Sequence, residues 1–162
     1  MRMPWPVVVG GVALAVVGAA GLIWGAVPVR SGGGGTNNVD PIVVTNAYVR
    51  PPAPPTKTAA AYFTIYNTTG TPDRLLSVTT GAGAESVLHT AGMKPAPDGI
   101  VVPAHGKLVL STGDGHVMIE QLFGPLLPGE TVNMNLQFEN AGVVPVTAKV
   151  IALGAPVPTG GS

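Results

Sequence analysis

The spacing of glycine and proline constrains this chain more than any other feature. The 162 residues hold 23 Gly and 17 Pro, roughly twice the usual shares of about 7% and 5%. Between them lie runs rich in β-branched and aromatic residues, too short for ordinary helices. Ile42–Val49, Ala60–Asn67, Leu75–Thr80, Glu85–His89, Ile100–Val102, Lys107–Leu110, Val117–Leu122, Thr131–Phe138 and Val143–Ile151 read as strands. Proline supplies no ladder donor, so Arg50-Pro51-Pro52-Ala53-Pro54-Pro55 must end the first of them. Thr131–Phe138 alternates, with Val132, Met134, Leu136 and Phe138 on one face and polar residues on the other. Eight or nine short strands and no convincing helix in this region predict an all-β fold, an antiparallel sandwich or barrel.

The N-terminus obeys a different rule. Val7–Val29 is an uncharged run of Val, Ala, Gly, Leu, Ile and Trp with one Pro. Its 23 residues match the length of about 20 that crosses a bilayer. A secretory signal's apolar core is usually only about 7–15 residues long, so the length favours an anchor over a cleaved signal. Trp5 and Trp24 lie near its two ends, where indoles prefer the interface. Either form places the rest of the chain outside the cytoplasm. The expected organisation is a signal or transmembrane anchor over residues 1–30, a Gly-rich linker over 31–38, a β-domain over 39–151 and a flexible tail over 152–162.

Composition removes several functions. Eight Lys+Arg balance eight Asp+Glu, so no basic stripe exists for nucleic acid. Cysteine is absent, which excludes disulfides, thiolate nucleophiles, iron–sulfur clusters and a lipid anchor on Cys. No His-Glu-x-x-His, Gly-x-Ser-x-Gly or phosphate-cradling loop occurs, and the expectation is that the protein is not an enzyme. Asn67-Thr68-Thr69 has the form of a glycosylation acceptor.

The placement of His and Met points to chemistry. After residue 38 the chain has three His and three Met, and five of these six fall between His89 and Met118. In a strand, His116 and Met118 share a face about 6.6–6.8 Å apart. His89 and Met93 form a second pair at a strand end and in the turn after it. Thioether sulfur is soft and selects Cu(I), and imidazole binds copper and zinc alike. A His/Met set without Cys therefore points to copper outside the cytoplasm. Met134, on the apolar face of its run, reads as core filler, and His105 as a turn residue. Spacing alone leaves ligand and non-ligand roles about even for His116 and Met118.

The wider sequence resembles the periplasmic copper chaperones of the PCuAC type. The resemblance rests on Val49-Arg50-Pro51-Pro52, Thr58–Asn67, Ile100–Gly106, Gly115-His116-Val117-Met118, Gly124–Glu130, Leu136-Gln137-Phe138 and Ala141-Gly142, and covers about residues 42–151. It implies a cupredoxin-like β-sandwich holding one Cu(I) on His89, Met93, His116 and Met118. It also implies delivery of copper to cytochrome c oxidase assembly, to an oxidase subunit or its assembly factor. Three departures stand out. Thr90 follows His89 where many members have Met. The segment from His89 to Met93 is several residues shorter than usual. His105 stands where the family commonly has Gly, either substituting for Met93 or incidental. The alternative left open is a metal-free β-sandwich module of the cell envelope. A blue-copper electron carrier is excluded, because such a centre needs a Cys thiolate.

Overall fold

The computed structural model describes residues 39–159. Those residues form β1 (Ile42–Arg50), β2 (Ala59–Asn67), β3 (Asp73–Thr80), β4 (Gly83–Thr90), β5 (Lys94–Pro95), β6 (Ile100–Val102), β7 (Lys107–Leu110), β8 (Gly115–Leu122), β9 (Thr131–Phe138) and β10 (Val143–Val150). No helix occurs among them, in keeping with the glycine and proline spacing. In particular, no helix among the described residues is long and apolar enough to cross a membrane. The expected anchor over 1–30 and the linker over 31–38 lie outside the described residues.

The strands make one curled sheet in the order β5-β4-β8-β2-β1-β10-β9-β3-β6, with β7 also on β2. All pairings are antiparallel except one. The first strand and the last run side by side in the same direction, through Tyr48↔Lys149 and Val49↔Val150. The purely antiparallel sheet expected from sequence is thus corrected at this seam, which covers strand edges that would otherwise be open. A register shift between Thr45 and Tyr48, with Asn46 at φ 52°, bends β1 just before that contact.

Curling the sheet turns one face inward. Ala59, Ala61, Phe63 and Ile65 of β2 point into the core, as do Val117 and Ile119 of β8 and Val132, Met134, Leu136 and Phe138 of β9. Met134 is 1% exposed, as expected of core filler. Each of the larger side chains among them, Val, Ile, Leu, Met or Phe, contributes about 1.5–3 kcal/mol. Asp73 ties the β9–β10 turn to β3. Its carboxylate accepts the backbone N–H groups of Asn140 (2.9 Å), Ala141 (2.9 Å) and Arg74 (2.7 Å). Burial alone would raise its pKa, but these N–H groups outweigh it and hold the carboxyl below its ordinary value.

The structure removes one candidate modification site. Asn67 is 3% exposed and donates its Nδ2 to the Thr71 carbonyl at 2.8 Å. An amide so buried and bonded is not a glycosylation acceptor.

Candidate metal centre

The residues alternating with the core positions lie on the other face of β4, β8 and β2. Directly opposite residues of a ladder share a face, so the register decides what meets. His89 of β4 stands opposite His116 of β8, and Val87 opposite Met118. Met118 is in turn opposite Ala60 of β2. The two imidazoles, 27 positions apart in sequence, stack with ring centroids 5.1 Å apart and planes at 20°. Met118 lies two rungs further along, on the same face.

The pair is backed by aromatic rings. Tyr62 of β2 lies against His116 at 6.1 Å. Tyr48, opposite Tyr62 in the β1–β2 ladder, stacks on it at 5.0 Å. The Arg50 guanidinium sits over Tyr48 at 5.7 Å and donates to the carbonyls of Ala152 and Ala155 at 3.0 and 2.9 Å. A row of four rings therefore crosses β4, β8, β2 and β1, separate from the main core. Sequence reasoning missed Tyr48, Tyr62 and Arg50 as neighbours of the site. The available signal was Tyr62 standing on the polar-facing register of an otherwise Ala-rich stretch.

Burial in this row, and secondarily the nearby His89, push the His116 pKa below its ordinary value. The neutral imidazole, the form with a lone pair to give a metal, is thereby favoured. His89 is 8% exposed, and its Nδ1 is buried with no hydrogen-bond partner among the described residues. A buried polar atom without a partner calls for an explanation. A metal bound at the imidazole pair would supply one.

Met93 sits in the three-residue turn between β4 and β5, held closed by the rungs Thr90↔Lys94 and His89↔Pro95. Gly92 and Met93 both take left-handed backbone, φ 76° and 60°. The Met93 side chain is 59% exposed. The structure thus brings His89, His116 and Met118 onto one face of adjacent strands and leaves Met93 at the tip of the hairpin that continues from His89. The short His89–Met93 segment is accommodated by this tight turn.

His105 lies elsewhere. Its N–H donates to the Thr69 carbonyl at 2.8 Å, beside the Gly106–Asn67 bond at the far end of β2. Asn67 is five residues from Tyr62, about 17 Å along an extended strand. His105 therefore does not substitute for Met93. Its φ of 48° is left-handed, a conformation that glycine adopts without steric cost.

Among the described residues no three His, Cys, Asp or Glu side chains converge on a metal position. Met118, on the same face of β8 as His116, carries a thioether, a type of donor that suits a soft monovalent ion better than zinc or a hard divalent one.

Comparison with known proteins agrees with this fold. The model of the LpqE-like family, whose description names a lipoprotein of that type, matches residues 42–150. The chain belongs to the LpqE-like family. No curated protein matches it. Among solved structures, the apo PCuAC domain from PmoF1 is 28% identical with a TM-score of 0.65, over 72% of this chain and 98% of that one. The copper-bound PCuAC domain from PmoF2 is 26% identical with a TM-score of 0.63, over 70% and 94%. The Cu(I) form of DR1885 from Deinococcus radiodurans is 30% identical with a TM-score of 0.61, over 73% and 83%. The resemblance to PCuAC domains drawn from the sequence is thereby borne out.

Proposed function

We propose that this protein is an extracytoplasmic carrier of Cu(I), not an enzyme, with His89, Met93, His116 and Met118 as its donors. The stacked His89–His116 pair with its unpartnered buried nitrogen carries the reading. Copper-bound relatives of the same fold support it. Two imidazoles and two neutral sulfurs leave a monovalent ion its charge and allow ligand-by-ligand exchange, which a carrier needs. The N-terminal apolar segment tethers the domain at the membrane or directs its export. The recipient is a copper-accepting protein, a cytochrome c oxidase subunit or a factor that assembles its copper centre.

The test is an anaerobic Cu(I) titration of the full chain in detergent against a chromophoric chelator, beside Cu(II) and Zn(II). One tight Cu(I) equivalent is expected. The double variant His116→Ala/Met118→Ala should lose on the order of 100-fold or more in affinity, a floor set by what lesser changes around metal ligands do. Its circular dichroism should be unchanged. Full affinity in that variant would remove the site. A chain that binds no metal and tolerates every His and Met change would instead be a metal-free interaction module. Transfer is read by mixing the loaded protein with an apo copper domain of the oxidase and following copper in each after separation.

A further inference from the structure

The three methionines of the described region differ sharply in access. Met134 is 1% exposed and packed in the core, Met118 is half-buried against β2 and β4, and Met93 is 59% exposed. Met93 takes left-handed backbone in the three-residue turn between β4 and β5, at the tip of that hairpin, where peroxide in solvent can reach it. We propose that Met93 is a peroxide-sensitive modification site whose oxidation switches off Cu(I) binding. The inference rests on the Cu(I) reading above and adds a regulation to it.

The chemistry is a two-electron oxygen transfer. The Met93 thioether sulfur attacks one oxygen of hydrogen peroxide, the O–O bond breaks and an S–O bond forms. The second oxygen leaves as water after taking up a proton. Sulfur is oxidised to the sulfoxide and peroxide is reduced. The product is polar and loses the soft donor character that favours Cu(I). Sulfoxide reductases reverse the step. Bound copper would occupy the same lone pair, so the loaded protein resists the reaction and the empty protein is the one that is switched off.

The experiment treats the apo full chain with graded hydrogen peroxide, quenches it and maps each methionine by peptide mass spectrometry. Mapping also separates Met1 and Met3, which lie outside the described residues. Met93 is expected to gain one oxygen first, Met118 more slowly, and Met134 only on unfolding. Cu(I) affinity of the Met93-oxidised protein should fall about 10- to 100-fold, the range seen when a site's ligand environment is damaged. Methionine sulfoxide reductase should restore it. Met93→Leu should bind Cu(I) more weakly from the outset and show no further loss at peroxide doses that oxidise Met93 in the unaltered chain and leave Met118 unmodified. Oxidation of Met93 no faster than Met134, or full affinity in the oxidised protein, overturns the proposal. So does a Met93→Leu protein that still loses affinity at doses that leave Met118 unmodified. Absence of Cu(I) binding in the untreated chain refutes the carrier function itself, and is distinguishable because the oxidation map is read independently.

Discussion

Gly115, immediately before His116, sets the spacing of the histidine rung. A Cβ built there would lie 2.7 Å from the His89 carbonyl oxygen and 3.2 Å from Leu110 Cδ2. The first contact is about 0.7 Å short of ordinary van der Waals distance and falls on backbone, which cannot rotate away. Gly115→Ala must therefore open β4 from β8 at the rung Thr90↔Gly115, next to His89↔His116. Overpacking of this kind destabilises by about 1–3 kcal/mol, and the positive φ of 152° adds about 1 kcal/mol. At about 4 °C per kcal/mol for a domain of this size, the melting temperature should fall by about 8–16 °C. Gly113 is the matched control. It also has a positive φ, 102°, but a Cβ there meets nothing within 4 Å. Gly113→Ala should therefore lose only the backbone share, about 4 °C. Because a binding constellation has to be held to about 0.5 Å, Gly115→Ala should also weaken Cu(I) binding about tenfold or more, and Gly113→Ala should not. Differential scanning calorimetry and the chelator competition read both effects. Equal losses in the two variants would show that the close approach to His89 is not what demands glycine at this position.

Two further outcomes rest on particular residues. Asp73→Asn replaces an acceptor of backbone N–H groups by an amide that must turn one N–H against another, and should destabilise by about 2–3 kcal/mol at pH 7. Since the folded-state pKa of Asp73 is depressed, the unfolded chain binds the proton more readily. The stabilisation is full above the ordinary carboxylate range and is lost as pH falls through the lower folded value. Urea melts at pH 7 and at successively lower pH should show the gap between wild type and variant closing on the acid side, and a gap independent of pH would contradict the assignment. His105→Gly relieves a left-handed backbone and should stabilise by about 0.5–1 kcal/mol with unchanged Cu(I) affinity. A loss of affinity in that variant would place His105 in the site after all.

Much of the fold was legible in the chain. The nine expected strands match nine of the ten observed to within two residues at each end, because proline and glycine stop the ladders and period-2 alternation marks the buried face. The exception is Lys94–Pro95, a two-residue edge strand containing proline, which has too few residues to show any period. His116 and Met118 were readable as one face of a strand from their i, i+2 spacing. Pairing with His89 was not readable from spacing, because β4 and β8 are not consecutive and their register is a long-range matter. The neighbouring Tyr62, Tyr48 and Arg50 escaped notice for the same reason: each belongs to a strand that reaches the row only through lateral pairing.

Sequence by itself determined the strand class, the turn positions, the exclusion of thiolate chemistry and the supply of imidazole and thioether donors, since these depend on local backbone preference and on side-chain type. Tertiary structure alone decided that His89 meets His116, that a ring stack backs them, that His105 stands by the opposite end of β2 from Tyr62, and that β1 closes on β10 in parallel. Those outcomes hinge on register between distant strands. A slip of one residue turns every side chain to the opposite face, and only burial of the whole core, summed over all the strands, selects among the registers.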